Sequence, residues 1–489
     1  MSASRVARAS VWAIAGGTSQ HLITFGLLVY LARVLDPRDF GLMATVTIGL
    51  DLGMQIARWG QVELLQQSRY QTDAARNQAL RLSLALALCF AAIFIIIAPP
   101  VAQLYSSPEL ATMLYLCAPV FLFSALSATA EGILRSEFRF ETLAYRGTVT
   151  AVLGGIAAVM LAALGYGALA LAAQRIVQSA ISFIWVWSAI SWRPQFRHRI
   201  SFSPTLLRDG ASTMTGALLP ILVPRSIDLL VGVILGPAQL GLLKISFRIF
   251  EFVGQLVIMP LVGVATAQLA RFADDIDGLR QSYLRFAQVS AALLCPMMIG
   301  FAMVAPEVVP LLFGQKWTSS IPLVQMVSIL ALTAPPNYFF PAAMVAIGQS
   351  RVVLRQGIFQ VVVGLVLAII AAQHSVEAVL ITQIIRGVLL TGYNFIDLRR
   401  FAGMKFRQMA RSMAPPYVAT AVTALVMLAM RFAFAGSATP LHLVLILTAG
   451  GGMAYVLTIL FGTWLRIWPE FFHTIGPMLP ARLRKMLRV

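Results

Sequence analysis

Apolar stretches of about twenty residues recur along the whole chain, and short segments between them hold most of the charged residues. A stretch of this length crosses the hydrocarbon core of a bilayer as an α-helix, because each residue adds about 1.5 Å. The pattern predicts an all-α polytopic membrane protein with about 14 transmembrane helices. These begin near residues 11, 41, 80, 110, 145, 166, 211, 240, 284, 321, 354, 376, 413 and 441.

Composition agrees with a chain that lies almost entirely in the membrane. Of 489 residues, 59% are hydrophobic and only 11% are charged, far more apolar than a soluble core requires. The first apolar run follows Arg5 and Arg8 and has no small-residue cleavage site, which indicates a retained span rather than a signal peptide. Cys89, Cys117 and Cys295 lie singly in apolar runs, so neither a disulfide framework nor a metal site is expected.

The chain contains an internal repeat. Four residues of the segment VLDPRDFGL return at an offset of 200 in ILGPAQLGL, and a second match pairs Gly147 with Gly357 and Gly154 with Gly364. Duplicated hydrophobic halves are typical of transporters that rock one lobe against the other. The repeat predicts two parallel six-helix lobes, residues 1–200 and 201–400, followed by two extra C-terminal helices and a basic tail in residues 401–489.

Basic residues give the chain a net charge of +18 and concentrate in alternate connecting segments. The positive-inside rule therefore places both termini in the cytoplasm. Because the arginines are dispersed next to spans rather than gathered in one patch, they are expected to meet anionic membrane lipids and not nucleic acid.

Several segments in a fixed order carry a resemblance to a known family. LARVLDPRDFGLMA, SSPEL, LRSEFRFETLAYRGTVTAVLGG and LFGQKWTSSIPLVQ resemble the polysaccharide-transport branch of the multidrug/oligosaccharidyl-lipid/polysaccharide exporter superfamily, over roughly residues 5 to 400. The segment ARWGQVELLQQ after the second span departs from that pattern.

The resemblance implies a bacterial inner-membrane flippase or exporter that works by alternating access. Its expected substrate is a polyprenyl-pyrophosphate-linked saccharide unit destined for exopolysaccharide, capsule or lipopolysaccharide assembly. Expected partners are that lipid-linked saccharide, membrane lipids and polysaccharide-assembly proteins. No cofactor is expected, with H⁺ or Na⁺ left open as a coupling cation.

Two other classes of function stay open. One is a cation-coupled extruder of small amphiphilic molecules from the same superfamily. The other is a membrane saccharide polymerase or ligase, but an enzyme of that kind needs a sizeable outer loop for its acceptor. The longest outer connection, near residues 306 to 320, is short and mostly apolar, so the sequence favours a transporter that is not an enzyme.

Charged residues inside the predicted spans are the candidate functional groups. Each costs about 2.5 to 3.5 kcal/mol at a helix centre, so several of them together imply a polar interior. A pyrophosphate headgroup requires a hydrated chamber with cationic donors. The intramembrane charges are Arg175, Arg225, Arg248, Arg386, Asp51, Asp228 and Glu251.

The hairpin of the seventh and eighth spans suggests ion pairs. In an antiparallel hairpin, the residue numbers of two residues at the same depth add up to the same total. This rule pairs Asp228 with Arg248 and Arg225 with Glu251. These pairs are either structural struts or a gating latch that substrate phosphates break by capturing the arginines. Lys244 on the same face makes this candidate substrate site more positive.

Arg175 and Arg386 occupy matched positions in the sixth and twelfth spans, beside Gln174 and Gln383 respectively. Neither arginine has an acidic residue within one helical turn, so each contacts either an anionic ligand or an acid from another helix. Asp51 has no local partner either. It is a titrating coupling acid or the counter-charge to one of these arginines.

Overall fold

The computed structural model describes residues 3–195, 203–434, 439–465 and 468. Within these residues the chain is helical and contains no β-strand. The α-helices are α1 Ala3–Val34, α2 Pro37–Arg58, α3 Gln61–Leu64, α4 Asp73–Leu104, α5 Pro108–Cys117, α6 Pro119–Ser136, α7 Phe140–Ala163, α8 Leu169–Ala189, α9 Pro204–Ile234, α10 Pro237–Val253, α11 Met259–Leu269, α12 Ile276–Phe313, α13 Ile321–Ala331, α14 Pro335–Tyr338, α15 Phe340–Ala346, α16 Ser350–Ala372, α17 Val376–Ala402, α18 Phe406–Phe434 and α19 Pro440–Trp464.

Twelve helical segments in the described ranges are long and apolar enough to cross a membrane, and a bent pair brings the number to 13. The second to fourteenth predicted spans each fall on one of these segments. The first predicted span lies on α1, which is not among them, so the total of 14 is not confirmed. The all-α membrane architecture itself is confirmed.

The tenth predicted span is the bent pair. Residues Gln315–Ala331 and Pro335–Ala346 meet at an angle of 58°. Pro335 and Pro336 cause the break, because proline has no amide hydrogen and cannot continue the helical ladder. Two tyrosine hydroxyls supply donors for the carbonyls near this break: the half-buried Tyr417 donates to Leu332 and the buried Tyr283 donates to Pro336.

Local sequence explains where α2 begins and ends. At its start Pro37 occupies the first helical position, and the Asp36 amide donates to the Asp39 side chain at 3.0 Å. At its end Trp59 and Gly60 both adopt left-handed backbone, with φ of 36° and 79°. The chain therefore turns sharply at the start of the departing segment ARWGQVELLQQ and enters the short helix α3.

By internal packing the chain forms two compact units, Met1–Lys244 and Ile245–Val489. The lobe boundaries expected from the repeat, 1–200, 201–400 and 401–489, stay a prediction. In the first unit, glycines of α7 let neighbouring helices approach: Gly155 lies against Leu27 of α1, and Gly154 against Gln178 of α8. Small residues at such positions are typical of helix packing in membranes.

In the second unit, α12 is 38 residues long and packs along much of its length. Its buried residues Tyr283 and Cys295 join Phe339 and Phe340 of the bent segment in one apolar core. Further along α12, Val304 packs with Met427 of α18 and Leu447 of α19. The two C-terminal helices are thereby attached to α12 inside this unit.

Candidate functional site

The second span packs along the first hairpin of the second repeat. We call this contact the seam and define it as α2, the break and short segment that follow it to Tyr70, α9, and α10 as far as Lys244. All of it lies in the first compact unit. Helix α2 runs antiparallel to α9, so the seam has two ends and a middle, and each is held by a different kind of contact.

At one end, repeat-related residues contact each other reciprocally. A β-carbon on Gly41 would lie 1.6 Å from the carbonyl oxygen of Pro237, and one on Gly241 would lie 1.8 Å from the carbonyl oxygen of Pro37. Only glycine permits such a close backbone approach. The residues that reveal the repeat in the sequence are therefore the residues at which the two repeats touch.

In the middle of the seam, four charged side chains form a connected network. Arg225 of α9 pairs with Asp51 of α2 and, at 3.0 Å, with Asp228 one turn further along its own helix. Lys244 of α10 pairs with the same Asp228 carboxylate. Two acids and two bases balance, so the network is neutral as a whole.

This arrangement corrects the predicted hairpin pairs. Arg225 pairs with Asp51 rather than Glu251, and Asp228 pairs with Lys244 and Arg225 rather than Arg248. Arg248 and Glu251 instead pair with each other at 3.1 Å, three residues apart on α10, and both side chains are about half exposed. Asp51 comes from α2, a helix outside the hairpin, so pairing residues by depth within the hairpin alone does not reveal it.

Asp51 consequently has a counter-charge, but its partner is Arg225 and not Arg175 or Arg386 as the sequence suggested. Its side chain and that of Arg225 are each 22% exposed, so the pair is mostly withdrawn from solvent. The Nε of Arg225 is buried and has no partner in the described part of the chain. The network thus leaves one donor of this arginine unused.

At the other end of the seam, the sharp turn after α2 covers the start of α9. A β-carbon on Gly210 would lie 1.8 Å from the Trp59 ring, and one on Gly60 would lie 2.8 Å from the Cβ of Thr213. Nearby, the Asp209 Oδ2 accepts from the Tyr70 hydroxyl and from the Arg69 guanidinium, each at 2.7 Å. The sequence marked only the departing segment ARWGQVELLQQ, which contains Trp59 and Gly60, and gave no indication of the contacts with the start of α9.

In the second unit, Arg386 contacts amides. Its Nε donates to the Oε1 of Gln383 at 2.7 Å and its Nη1 to the Oε1 of Gln360 at 3.4 Å. Among the described residues no carboxylate lies within 4.0 Å of this guanidinium. Gln383 is 3% exposed, and its Nε2 is buried without a partner in the same part of the chain. A cation and an unused N–H donor therefore lie together.

Arg175 lies half-buried on α8 in the first unit, where its backbone carbonyl accepts from the Ser179 hydroxyl. Arg175 also takes part in a further interaction within the described part of the chain. The backbone carbonyl of Gln174 lies at the close contact with Gly154 of α7. The symmetric pair of ligand arginines expected from the repeat thus stays a prediction.

Sequence analysis also missed a buried acid in the first unit. Glu131 has 7% of its side chain exposed and accepts from Arg135 at 2.7 Å and from Arg146 at 3.0 Å. The charge of Arg58 also interacts with Glu131, and the Arg58 Nε donates to the Ser124 hydroxyl at 2.7 Å. The spacing of four residues between Glu131 and Arg135 was the available signal.

Two further acids in the second unit have arginine partners on other helices: the buried Asp397 pairs with Arg355 at 2.5 Å, and the half-buried Glu307 pairs with Arg431. In the described residues there is no group of three or more His, Cys, Asp or Glu side chains that could hold a metal ion.

Comparison with solved structures identifies the fold. The chain is similar to the lipid II flippase MurJ in an inward closed conformation, with a TM-score of 0.71, 12% identity, and coverage of 92% of this chain and 97% of that one. It is also similar to an inward-facing multidrug resistance MATE family transporter of the MOP superfamily, with a TM-score of 0.62, 14% identity, and coverage of 79% and 96%. The protein therefore has the fold of these multi-pass membrane proteins.

Sequence comparison then identifies the family. The family model for polysaccharide biosynthesis proteins matches residues 30–322, and the chain belongs to that family. It is 24% identical to the succinoglycan biosynthesis transport protein ExoT of Rhizobium meliloti (strain 1021) over 401 residues, covering 82% of this chain and 81% of that protein. It is 21% identical to the lipopolysaccharide biosynthesis protein WzxC of Escherichia coli (strain K12) over 427 residues, covering 85% and 86%. The family predicted from the sequence motifs is confirmed.

Proposed function

We propose that the protein is a flippase that moves a polyprenyl-pyrophosphate-linked saccharide unit across the bacterial inner membrane for extracellular polysaccharide synthesis. Membership of the polysaccharide biosynthesis family and relatives named for succinoglycan transport and lipopolysaccharide biosynthesis support this proposal. The observation that carries it is the half-buried Arg386, which has amide partners and lies beside an unused N–H of Gln383. Such a group is suited to bind an anion.

A pyrophosphate satisfies this site better than a neutral ligand does. Amide oxygens orient the Arg386 guanidinium but do not neutralise it, so its charge still favours an anionic oxygen. The Gln383 Nε2 then supplies a further donor to the same oxygen cluster. Arg175 and Gln174 are proposed to act in the equivalent way in the first repeat.

Alternating access requires the seam to separate at one end at a time. The reciprocal glycine contact would close the outer end, and the contact of Trp59 with Gly210 the inner end. Between them, the network of Asp51, Arg225 and Asp228 resists separation. A substrate phosphate that binds Arg225 would weaken this link. The network therefore both holds the helices together and can release them when substrate binds.

The remaining parts of the proposal concern orientation and energy. Both termini are cytoplasmic, as the distribution of arginines favours. The protein acts without a cofactor, is not an enzyme, and delivers its cargo to polysaccharide-assembly proteins. H⁺ or Na⁺ drives the cycle as coupling cation, with Asp51, Asp228 and Glu251 as the candidate coupling or gating acids.

The direct test is transport in proteoliposomes that carry a fluorescent polyprenyl-pyrophosphate-linked oligosaccharide. Transfer between leaflets is followed by protection from an external enzyme that cleaves the saccharide. We expect transfer with the protein and none with a lipid-linked saccharide that lacks the pyrophosphate. Failure to move the pyrophosphate-linked lipid in either direction would contradict the proposal.

Variants of Arg386 connect the transport to the site. Arg386→Ala should reduce the transfer rate about 10- to 100-fold, because a charge-assisted contact with phosphate is lost. Arg386→Lys should recover only part of it, since lysine cannot make a bidentate contact. Arg399→Ala is the matched control, because Arg399 is exposed on the same helix. Equal transfer by Arg386→Ala and the control places the anion site elsewhere.

A further inference from the structure

The segment from Trp59 to Tyr70 holds the second repeat more firmly than a simple connection requires. Two of its side chains converge on one carboxylate oxygen of Asp209, and the ring of Trp59 fills the space over Gly210. The apolar residues around this contact form one cluster that includes Leu64, Tyr70 and Leu206. An ion pair, a hydrogen bond and close packing therefore act on the same turn of α9.

The backbone makes this contact possible. Helix α2 ends in two consecutive left-handed residues, Trp59 and Gly60, which turn the chain toward α9. Glycine adopts this conformation without strain, whereas Trp59 adopts it only because its surroundings hold it there. The Trp59 side chain is 3% exposed, and its Nε1 donates to the carbonyl of Ala79.

The contact belongs to one repeat only. Residues 59–70 correspond, at the offset of 200, to residues 259–270 of the second repeat. Those residues continue as the helix Met259–Leu269 and the following 3₁₀ turn Ala270–Phe272. A feature required merely to build the repeat would occur in both copies, so its presence in one copy indicates a separate role.

We propose that residues Trp59–Tyr70 are an asymmetric clasp that holds the start of α9 and must release Asp209 before the seam separates at this end. The proposal deepens the proposed function by assigning control of the predicted cytoplasmic opening to Arg69, Tyr70 and Asp209. Arg69 is 60% exposed and Asp209 30% exposed in their side chains, so water reaches the link and it breaks reversibly. Trp59 fixes the position of the clasp, and the Asp209 contacts are the ones that break when the clasp opens.

The first test measures access to the covered surface and needs no substrate. Thr213 lies beneath Gly60, so a cysteine at Thr213→Cys reports release of the clasp. The reporter is placed in a chain with Cys89, Cys117 and Cys295 replaced by alanine. Its labelling by an impermeant maleimide is timed in membrane vesicles that expose the predicted cytoplasmic side.

Asp209→Asn should accelerate labelling about two- to fivefold, the range expected for loss of a solvent-accessible ion pair. Tyr70→Phe should act in the same direction, because it removes the hydroxyl donor. Asp73→Asn is the matched control: it breaks the neighbouring exposed pair of Asp73 with Arg76 at 3.3 Å and should leave labelling unchanged. Labelling of Asp209→Asn at the unaltered rate would overturn the proposal.

A charge exchange separates release of the clasp from general loosening. The double variant Arg69→Asp with Asp209→Arg keeps an opposite-charge pair but loses the acceptor of the Tyr70 hydroxyl, so it should label at about the rate of Tyr70→Phe and more slowly than Asp209→Asn. If every variant at these positions accelerates labelling equally, including the exchange, the effect is loss of folding and the clasp is refuted.

A cross-link tests the consequence for transport. A bis-maleimide whose spacer contains a disulfide, attached to Tyr70→Cys and Asp209→Cys, should stop transfer of the lipid-linked saccharide while the spacer is oxidised and restore it on reduction, because the spacer replaces the length of the tyrosine ring. Transfer at the same rate in both redox states would show that the clasp never opens during the cycle. If labelling responds as expected while no variant moves the saccharide lipid, the clasp stands and the proposed function fails.

Discussion

Asp51 and Arg225 join two helices from different repeats through an ion pair that neither hairpin contains by itself. The residues are 174 positions apart in the chain, yet each side chain is only 22% exposed. Because Arg225 also holds Asp228, the pair links α2 to a network that extends to Lys244. The strength of this link can be measured by removing its members singly and together.

Asp51→Asn and Arg225→Gln should each destabilise the protein by about 1 to 3 kcal/mol, since the first leaves Arg225 and Lys244 with a single acid and the second leaves Asp51 without its partner. The double variant should recover much of the loss, because Asp228 still has Lys244. Thermal unfolding in detergent measures all three. Additive losses in the double variant would mean that the two side chains do not interact in the folded protein.

The reciprocal glycine contact predicts steric intolerance at two positions. Gly41→Ala and Gly241→Ala each place a methyl group within 2 Å of a backbone oxygen, so the helices must move apart at a cost of about 1 to 3 kcal/mol. Gly216→Ala provides the control, since a β-carbon there meets nothing within 4 Å. The measurement is the melting temperature of the three variants, and a neutral Gly41→Ala would refute the contact.

Glu131 predicts a large effect from a single neutral substitution. Glu131→Gln removes the carboxylate that faces Arg135 and Arg146 while keeping nearly the same shape. Uncompensated charge in a mostly buried site should cost about 3 to 5 kcal/mol and reduce expression. Glu137→Gln, whose exposed carboxylate lies 3.5 Å from Arg139, should change stability by less than about 1 kcal/mol. Similar unfolding temperatures for both variants would contradict the assignment.

The contact of Tyr70 with Asp209 predicts an alkaline transition. The hydrogen bond to Asp209 raises the pKa of Tyr70 above its ordinary value of 10.0. A raised pKa means that this stabilisation is complete below about pH 10 and disappears as the pH rises through the folded-state pKa. The difference in tyrosinate absorbance between the protein and Tyr70→Phe measures that pKa. In Asp209→Asn it should return toward 10, and an unchanged value there would refute the hydrogen bond as the cause.

The sequence by itself determined the parts of this protein that depend on local properties. Hydropathy marks the spans because the thickness of a bilayer sets a minimum length for every crossing helix, and in the described residues 12 helical segments and one bent pair lie where the pattern places them. The family motifs and the internal repeat can also be recognised from the sequence alone, because both are found by comparing stretches of linear sequence. The repeat even pointed to Gly41 and Gly241, although not to their contact with Pro237 and Pro37.

Only the tertiary structure decided which charges meet. In an isolated hairpin, Arg225 would lie opposite Glu251. In the structure, a neighbouring helix brings Asp51 to Arg225, and Glu251 pairs with Arg248 on its own helix. Asp209 likewise meets Tyr70 across 139 residues because a left-handed turn at Trp59 redirects the chain. Coulomb attraction and hydrogen bonds act over a few ångströms in space, so their partners follow from packing rather than from spacing along the chain.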